Sequence, residues 1–178
     1  MSISNKPKHK GFLVRNLRNF FEHRALWLYF IWDEAKKKGL KPETFAPGAI
    51  RRCGIYHGMR ALTGKDQRFD SVDAPAAKGD KNCIMLRKKL FPSIGKLLFE
   101  MKILKVEKDA FDVDFHYCPL VAAWQKQGCT DEEIDKLCDC AMEGDRGIAN
   151  AYGCELDLKK TIAKGEGVCE IRIRKKTK

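Results

Sequence analysis

No apolar stretch of this sequence is long enough to span a bilayer as a helix. The longest uncharged one, Ala25 to Trp32, has eight residues, where a spanning helix needs about 20. Lys6, Lys8 and Lys10 are followed by no apolar run and no small-residue cleavage site, so no secretory signal is expected and the expected compartment is the cytoplasm. The sequence has no CxxC pair and no HExxH, which removes two common metal motifs. Five residues separate Gly58 from Gly64-Lys65, and Asp66 follows the lysine, so the phosphate-loop pattern fails as well. Internal repeats and low-complexity segments are absent.

What is present is the composition of one folded domain. The 178 residues are 44% hydrophobic and 33% charged, enough to bury a core without disulfides. The formal net charge of +11 sits mostly at the ends: Lys6, Lys8 and Lys10, then Arg172, Arg174, Lys175, Lys176 and Lys178. A basic balance confined to termini argues for solvated tails rather than a nucleic-acid partner. The expected division is a disordered basic tail over 1–10, a single domain over 11–174 and a second basic tail over 175–178. Eight cysteines, at 53, 83, 118, 129, 138, 140, 154 and 169, would be reduced in a cytoplasmic chain. At least five are expected to be small buried hydrophobes.

Hydrophobic spacing predicts a helix from Gly11 to about Lys38, stopped by Gly39 and Pro42, and a second from about Glu43 through Leu62. Residues 63–81 read as a polar loop, and short helical pieces follow over 82–91 and 93–100. The period then changes to two. Met101–Val106 and Ala110–Cys118 form a hairpin around Glu107-Lys108-Asp109. A short helix runs from Pro119 to Gln127, and a longer one starts at the capping box Thr130-Asp131-Glu132-Glu133. Glu155–Ala163 and Val168–Lys175 read as strands. The fold class is therefore α+β, with N-terminal helices packed on a small antiparallel sheet and a C-terminal order β-β-α-α-β-β. Trp27, Trp32 and Trp124 are expected in the core.

The helix after Thr130 carries apolar residues at Ile134, Cys138, Ala141, Ile148 and Tyr152. Asp145 falls on the same stripe, since seven residues come to about 20° short of two turns. A carboxylate there must be paired, hydrogen-bonded or protonated; it is either a structural partner for an arginine or a general base with a shifted pKa. Cys138 and Cys140 are about 200° apart on the helix, so Cys138 is expected inward and Cys140 outward. In the strand 110–118, His116 and Cys118 share the face of Asp112 and Asp114. They could be a base and nucleophile, two ligands of one metal, or part of a solvated face. Cys169 lies on the apolar face of the last strand, so it meets Cys118 only if the sheet is covered on both sides or a bulge resets the phase.

Phe115-His116-Tyr117-Cys118-Pro119-Leu120-Val121, Leu137-Cys138, Glu143-Gly144-Asp145-Arg146-Gly147, Lys160-Thr161-Ile162 and Gly165 to Cys169-Glu170, together with His23-Arg24-Ala25 and Asp33-Glu34-Ala35 before Gly39, resemble the L-2-amino-thiazoline-4-carboxylic acid hydrolase family. The resemblance implies opening of a cyclic amidine ring to a carbamoyl-cysteine, on a bacterial route to L-cysteine. Water must then add to a C=N carbon and a nitrogen must be protonated. For that chemistry the residue pattern offers His116, Cys118 and Asp145 as catalytic residues, with Arg146, about 80° round the helix from Cys138, and Glu143 binding substrate. Either Cys118 attacks, or a divalent metal such as zinc, held by His116, Cys118, Cys138 and Cys169, activates water. The C-terminal Gly-x-x-x-Cys hairpin is also similar to the small-molecule-binding 4-vinyl reductase domain, which implies a non-catalytic ligand or metal-binding module as the alternative. The partners expected are a small-molecule substrate and, at most, further copies of the chain, with no membrane and no nucleic acid.

Overall fold

The computed structural model describes residues 3–66, 68, 70–71, 73, 81–91 and 93–176. Helix α1 (Phe12–Lys37) ends in Lys36 and Lys37, whose charges suit a helix C-terminus, and Gly39 turns the chain at φ 73°. Helix α2 (Ala46–Thr63) starts with Pro47 in its first turn and closes on a left-handed Gly64, whose amide donates to the Arg60 carbonyl at 2.8 Å. Short helices α3 (Cys83–Leu90) and α4 (Gly95–Leu98) precede strands β1 (Met101–Val106) and β2 (Ala110–Phe115). Helix α5 (Pro119–Lys126) and the long α6 (Asp131–Ala151) follow, then β3 (Cys154–Leu158) and β4 (Cys169–Lys175). The loop expected over 63–81 lies largely outside the described residues.

The four strands form one antiparallel sheet in the order β1-β2-β4-β3. Phe111, Val113 and Phe115 of β2 pair with Ile173, Ile171 and Cys169 of β4, which puts these six on one face. Asp112, Asp114, Glu170, Arg172 and Arg174 take the other face. There Arg172 bonds Asp114 at 2.8 Å and Arg174 pairs with Asp112. One face is core and the other is a ladder of opposite charges. This is the α+β arrangement that the change of period predicts.

Helix α6 is clamped between the apolar face of the sheet and α2. Its crossing with α2 depends on glycine: a Cβ on Gly54 would stand 1.9 Å from the Gly144 carbonyl oxygen, and one on Gly147 would stand 2.4 Å from the Arg51 carbonyl oxygen. Two glycines of Glu143-Gly144-Asp145-Arg146-Gly147 thus serve backbone approach to α2. This second cover also corrects the outward placement of Cys140: it is buried like Cys138, beside a polar cleft bordered by Trp32, Glu43 and Pro47.

Other expectations shift for local reasons. β2 stops at Phe115 rather than Cys118, because His116 and Tyr117 donate to the Glu100 and Phe99 carbonyls and the chain turns into Pro119. The strand expected over Glu155–Ala163 ends at Leu158, and Ile162–Lys164 instead make a 3-10 turn capped by the Thr161 hydroxyl. Five cysteines are buried, as composition suggests, while Cys53 is exposed. Trp32 and Trp124 lie in the core, but Trp27 does not; it is 63% exposed.

The N-terminal residues that read as a disordered tail are laid against the domain from Ile3 onward. Ile3 is buried, and its carbonyl accepts from Gln125. The amides of Lys8 and His9 donate to the buried carboxylate of Glu100, which Arg18 also binds at 3.3 Å. At the other end Lys175 belongs to β4 and Lys176 donates to the Gly153 carbonyl at 3.0 Å.

Candidate functional site

Between the apolar face of the sheet, α6, α1, Phe91 and residues 94–101 lies a cavity of about 220 Å³. Phe21, Phe91, Phe99, Phe115, Leu98 and Met101 make much of its wall. A small set of polar or ionisable side chains interrupts that wall: Asp145, Arg24, Cys118, Cys138 and Cys169. Such a balance, an apolar body with a few converging polar groups, is the usual construction of a small-molecule pocket.

Asp145 enters the cavity because Gly144 and Gly147 hold α6 against α2 on another side of the helix. Its carboxyl makes no hydrogen bond among the described residues, and burial raises its pKa; the charges of Arg24 and Arg146 oppose that rise. Asp145 and Cys118 keep accessible surface because they line a cavity, yet protein surrounds both deeply enough for desolvation to govern their ionisation.

Cys118 is the residue before α5, so its sulfur sits at a helix start. Burial pushes its pKa up, and the Leu120 and Val121 amides and the Arg24 charge pull against that. Its backbone is fastened by the N-terminal strap: Asn5 Nδ2 donates to the Cys118 carbonyl and the Cys118 amide donates to Asn5 Oδ1. Cys138, on α6, is held well above the ordinary thiol range by burial. Cys169 is pushed up to about 12, chiefly by burial, although its sulfur accepts from the Ile162 amide.

The structure therefore brings together Asp145, Cys118, Cys138 and Cys169, and leaves out three residues that the sequence placed with them. Cys118 and Cys169 meet without a bulge or a second cover on the sheet, because Cys118 has left the strand. That early strand end also separates His116 from Cys118: His116 is exposed and does not line the cavity. Arg146 and Glu143 are tied to each other at 2.7 Å; Arg146 also holds Asp139 at 2.9 Å, and Glu143 holds Arg51 at 2.9 Å. This network faces away from the cavity, so neither residue stands where Cys118 and Asp145 do.

The residue missed is Arg24. Its helix position is unremarkable in sequence and only the fold brings it to Asp145, although it stands in the His23-Arg24-Ala25 piece of the resemblance. Among the described residues no three His, Cys, Asp or Glu side chains are grouped so as to hold a metal ion. The three thiols come from α6, β4 and the start of α5 and line different walls of the cavity, with His116 outside it.

An α+β domain that closes a mainly apolar cavity around a carboxyl, a guanidinium and thiols has the layout of a small-molecule site. The chain belongs to the L-2-amino-thiazoline-4-carboxylic acid hydrolase family, whose model matches residues 18–173. No curated protein sequence matches it. Among solved structures, trafficking protein particle complex subunit 3 from Naegleria fowleri, determined covalently bound to palmitic acid, is similar in fold. Its TM-score is 0.52 at 14% identity, over 88% of this chain and 95% of that one. Among the described residues, no helix is long and apolar enough to cross a membrane.

Proposed function

We propose that the chain is a hydrolase that opens a small cyclic amidine carrying a carboxylate, such as a 2-amino-thiazoline carboxylic acid, inside this cavity. The observation that carries the reading is the Asp145 carboxyl, which makes no hydrogen bond among the described residues and shares the cavity with Cys118 and Arg24. An amidinium meets an unpaired carboxylate, and the substrate carboxylate meets the Arg24 guanidinium. Size supports the same class. A 150 Å³ protein cavity takes benzene, so about 220 Å³ suits roughly nine non-hydrogen atoms, the size of a substituted thiazoline.

The chemistry follows from these groups. The bound amidinium offsets the burial that raises the pKa of Asp145 and so favours its carboxylate. Cys118 sulfur adds to C2 as its proton passes to Asp145. The ring bond from C2 to sulfur breaks, and the departing sulfur takes that proton back as a thiol. Water then adds to C2 and displaces Cys118, again through Asp145, which leaves a carbamoyl-cysteine and the free enzyme thiol.

The test is incubation of the purified chain with 2-amino-thiazoline-4-carboxylate and mass-spectrometric detection of carbamoyl-cysteine. Wild type should turn over, and Asp145→Asn should lose about 10²–10⁴-fold. Full activity in Asp145→Asn would overturn the assignment. Cys118→Ser separates two forms of it: retained activity leaves Asp145 activating water directly.

A second reading rests on the aromatic wall of the cavity: a binding module that holds an apolar ligand without turning it over. The fold neighbour carries a palmitoyl chain, but that chain has about twice as many non-hydrogen atoms as the present cavity suits by the benzene scale. Tight binding of small aromatic acids with no turnover of any cyclic amidine would favour this reading.

A further inference from the structure

We infer that the exposed stripe of α1 is an interface between two antiparallel copies of this chain. α1 has two apolar faces. Ala25, Leu28, Trp32 and Ala35 point into the core, while Phe12, Leu13, Phe20, Trp27, Phe30 and Ile31 are exposed, Phe20 by 72% and Trp27 by 63%. At 100° per residue these six fall within a band about 100° wide, centred well away from the core face. The stripe runs the length of the helix, with Asn16, His23 and Glu34 set within it.

The exposed area fits a dimer. At 150–250 Å² per aromatic side chain, the four aromatics alone present roughly 500 Å². Leu13 and Ile31 bring the stripe toward the roughly 800 Å² per partner of a standard interface. Monomers seldom leave that much apolar surface in one patch.

The charges choose the occupant. Arg15 and Asp33 are 18 residues apart, five whole turns, so they lie on the same flank of the stripe. Antiparallel pairing about a twofold axis near residue 24 sets Phe20 opposite Trp27. It also carries Arg15 of each copy toward Asp33 of the other. Asp33 already pairs with Lys37 at 2.6 Å within its own helix, and exposed pairs of that kind exchange at little cost. A helix lying on a bilayer would instead carry unpaired basic residues along both flanks, whereas here Asp33 and Glu34 pair with Lys37 at the C-terminal end of the helix.

The experiment is sedimentation equilibrium of the full chain. The expected mass is twice the 20.3 kDa of the monomer, with a Kd in the micromolar range or below. Trp27→Glu should weaken association at least tenfold. Arg15→Asp should weaken it, and the double exchange Arg15→Asp with Asp33→Arg should restore it; Arg15 is exposed and Asp33 half-buried, so an unchanged Tm is checked for each variant. A monomer at high micromolar concentration overturns the inference, as does a dimer indifferent to all three changes. So does a monomer that binds phosphatidylcholine–phosphatidylserine vesicles and loses that binding in Trp27→Glu. Because the readout is mass, the outcome does not depend on what the cavity turns over.

Discussion

Asn5 and Cys118 hold each other by two hydrogen bonds in opposite directions, Asn5 Nδ2 to the Cys118 carbonyl at 2.8 Å and the Cys118 amide to Asn5 Oδ1 at 3.0 Å. The pair joins an N-terminal strap to the residue that starts α5, across 113 positions of sequence. Asn5 does not touch the cavity, so it is a positioning residue. Asn5→Ala removes both bonds, at about 0.5–1.5 kcal/mol each. Its kcat for the ring-opening reaction should fall while KM changes little, since the substrate's charged groups meet Arg24 and Asp145. Asn5→Asp, which keeps the acceptor for the Cys118 amide, should recover part of the loss. Equal kcat in wild type and Asn5→Ala would show that the strap does not position Cys118.

Arg24 is the cation whose field reaches both Asp145 and Cys118. Its side chain is exposed, so Arg24→Gln should leave thermal stability nearly unchanged. Loss of one charge-assisted contact to a substrate carboxylate, about 1.5–3 kcal/mol, should raise KM by roughly 10–100-fold. Removing the positive charge also lets the pKa of Asp145 rise further. The acid limb of the pH–rate profile should therefore move to higher pH in the variant. An unmoved limb would mean that Asp145 is not the group whose ionisation controls the rate.

Why one part of this site was legible in sequence and another was not is a matter of range. Asp145 was found because a regular helix carries its periodicity across seven residues. The hairpin and capping box were readable for the same local reason. His116 was misplaced because the end of β2 is decided by Phe99 and Glu100, whose carbonyls capture the next two amides from outside the strand. Arg24 was invisible because nothing within its own helix distinguishes it; its meaning comes from α6, more than a hundred residues on. The metal reading has the same range: sequence offers one histidine and three cysteines, but not the elements from which they meet.

The glycine contact between α2 and α6 gives a stability prediction. A methyl group at position 54 would meet the Gly144 carbonyl oxygen at 1.9 Å, a backbone atom that cannot swing aside. Gly→Ala inside a helix ordinarily gains up to about 1 kcal/mol, but overpacking costs about 1–3 kcal/mol, and here the clash should win. Gly54→Ala should lower Tm by several degrees, at about 2–4 °C per kcal/mol for a chain of this size. It should also impair turnover, because α6 carries Asp145. Gly39→Ala is the contrast: it meets no neighbouring atom, so any cost there comes only from its φ of 73°. A Gly54→Ala protein as stable as wild type would mean that the two helices are not in backbone contact.

Asp145 also ties stability to pH, in a direction opposite to most carboxylates. Burial raises its folded-state pKa above the ordinary value. Between the unfolded and folded pKa values the unfolded chain has lost a proton that the folded chain keeps, so stability falls as pH rises. The stabilising contribution is complete below the ordinary aspartate range and is lost as pH rises through the folded value. An asparagine at this position has no charge to bury. Asp145→Asn should therefore be the more stable protein at neutral and mildly alkaline pH, with the difference closing toward acid pH. Thermal melts of both proteins from pH 4 to pH 8 would show this as two Tm curves that diverge with rising pH. A variant less stable than wild type at pH 8, or a gap that does not change with pH, would mean that the carboxyl is paired in solution. The gain in stability should accompany the loss of turnover in the same variant, since the desolvation that disfavours the free carboxylate is what an entering amidinium relieves.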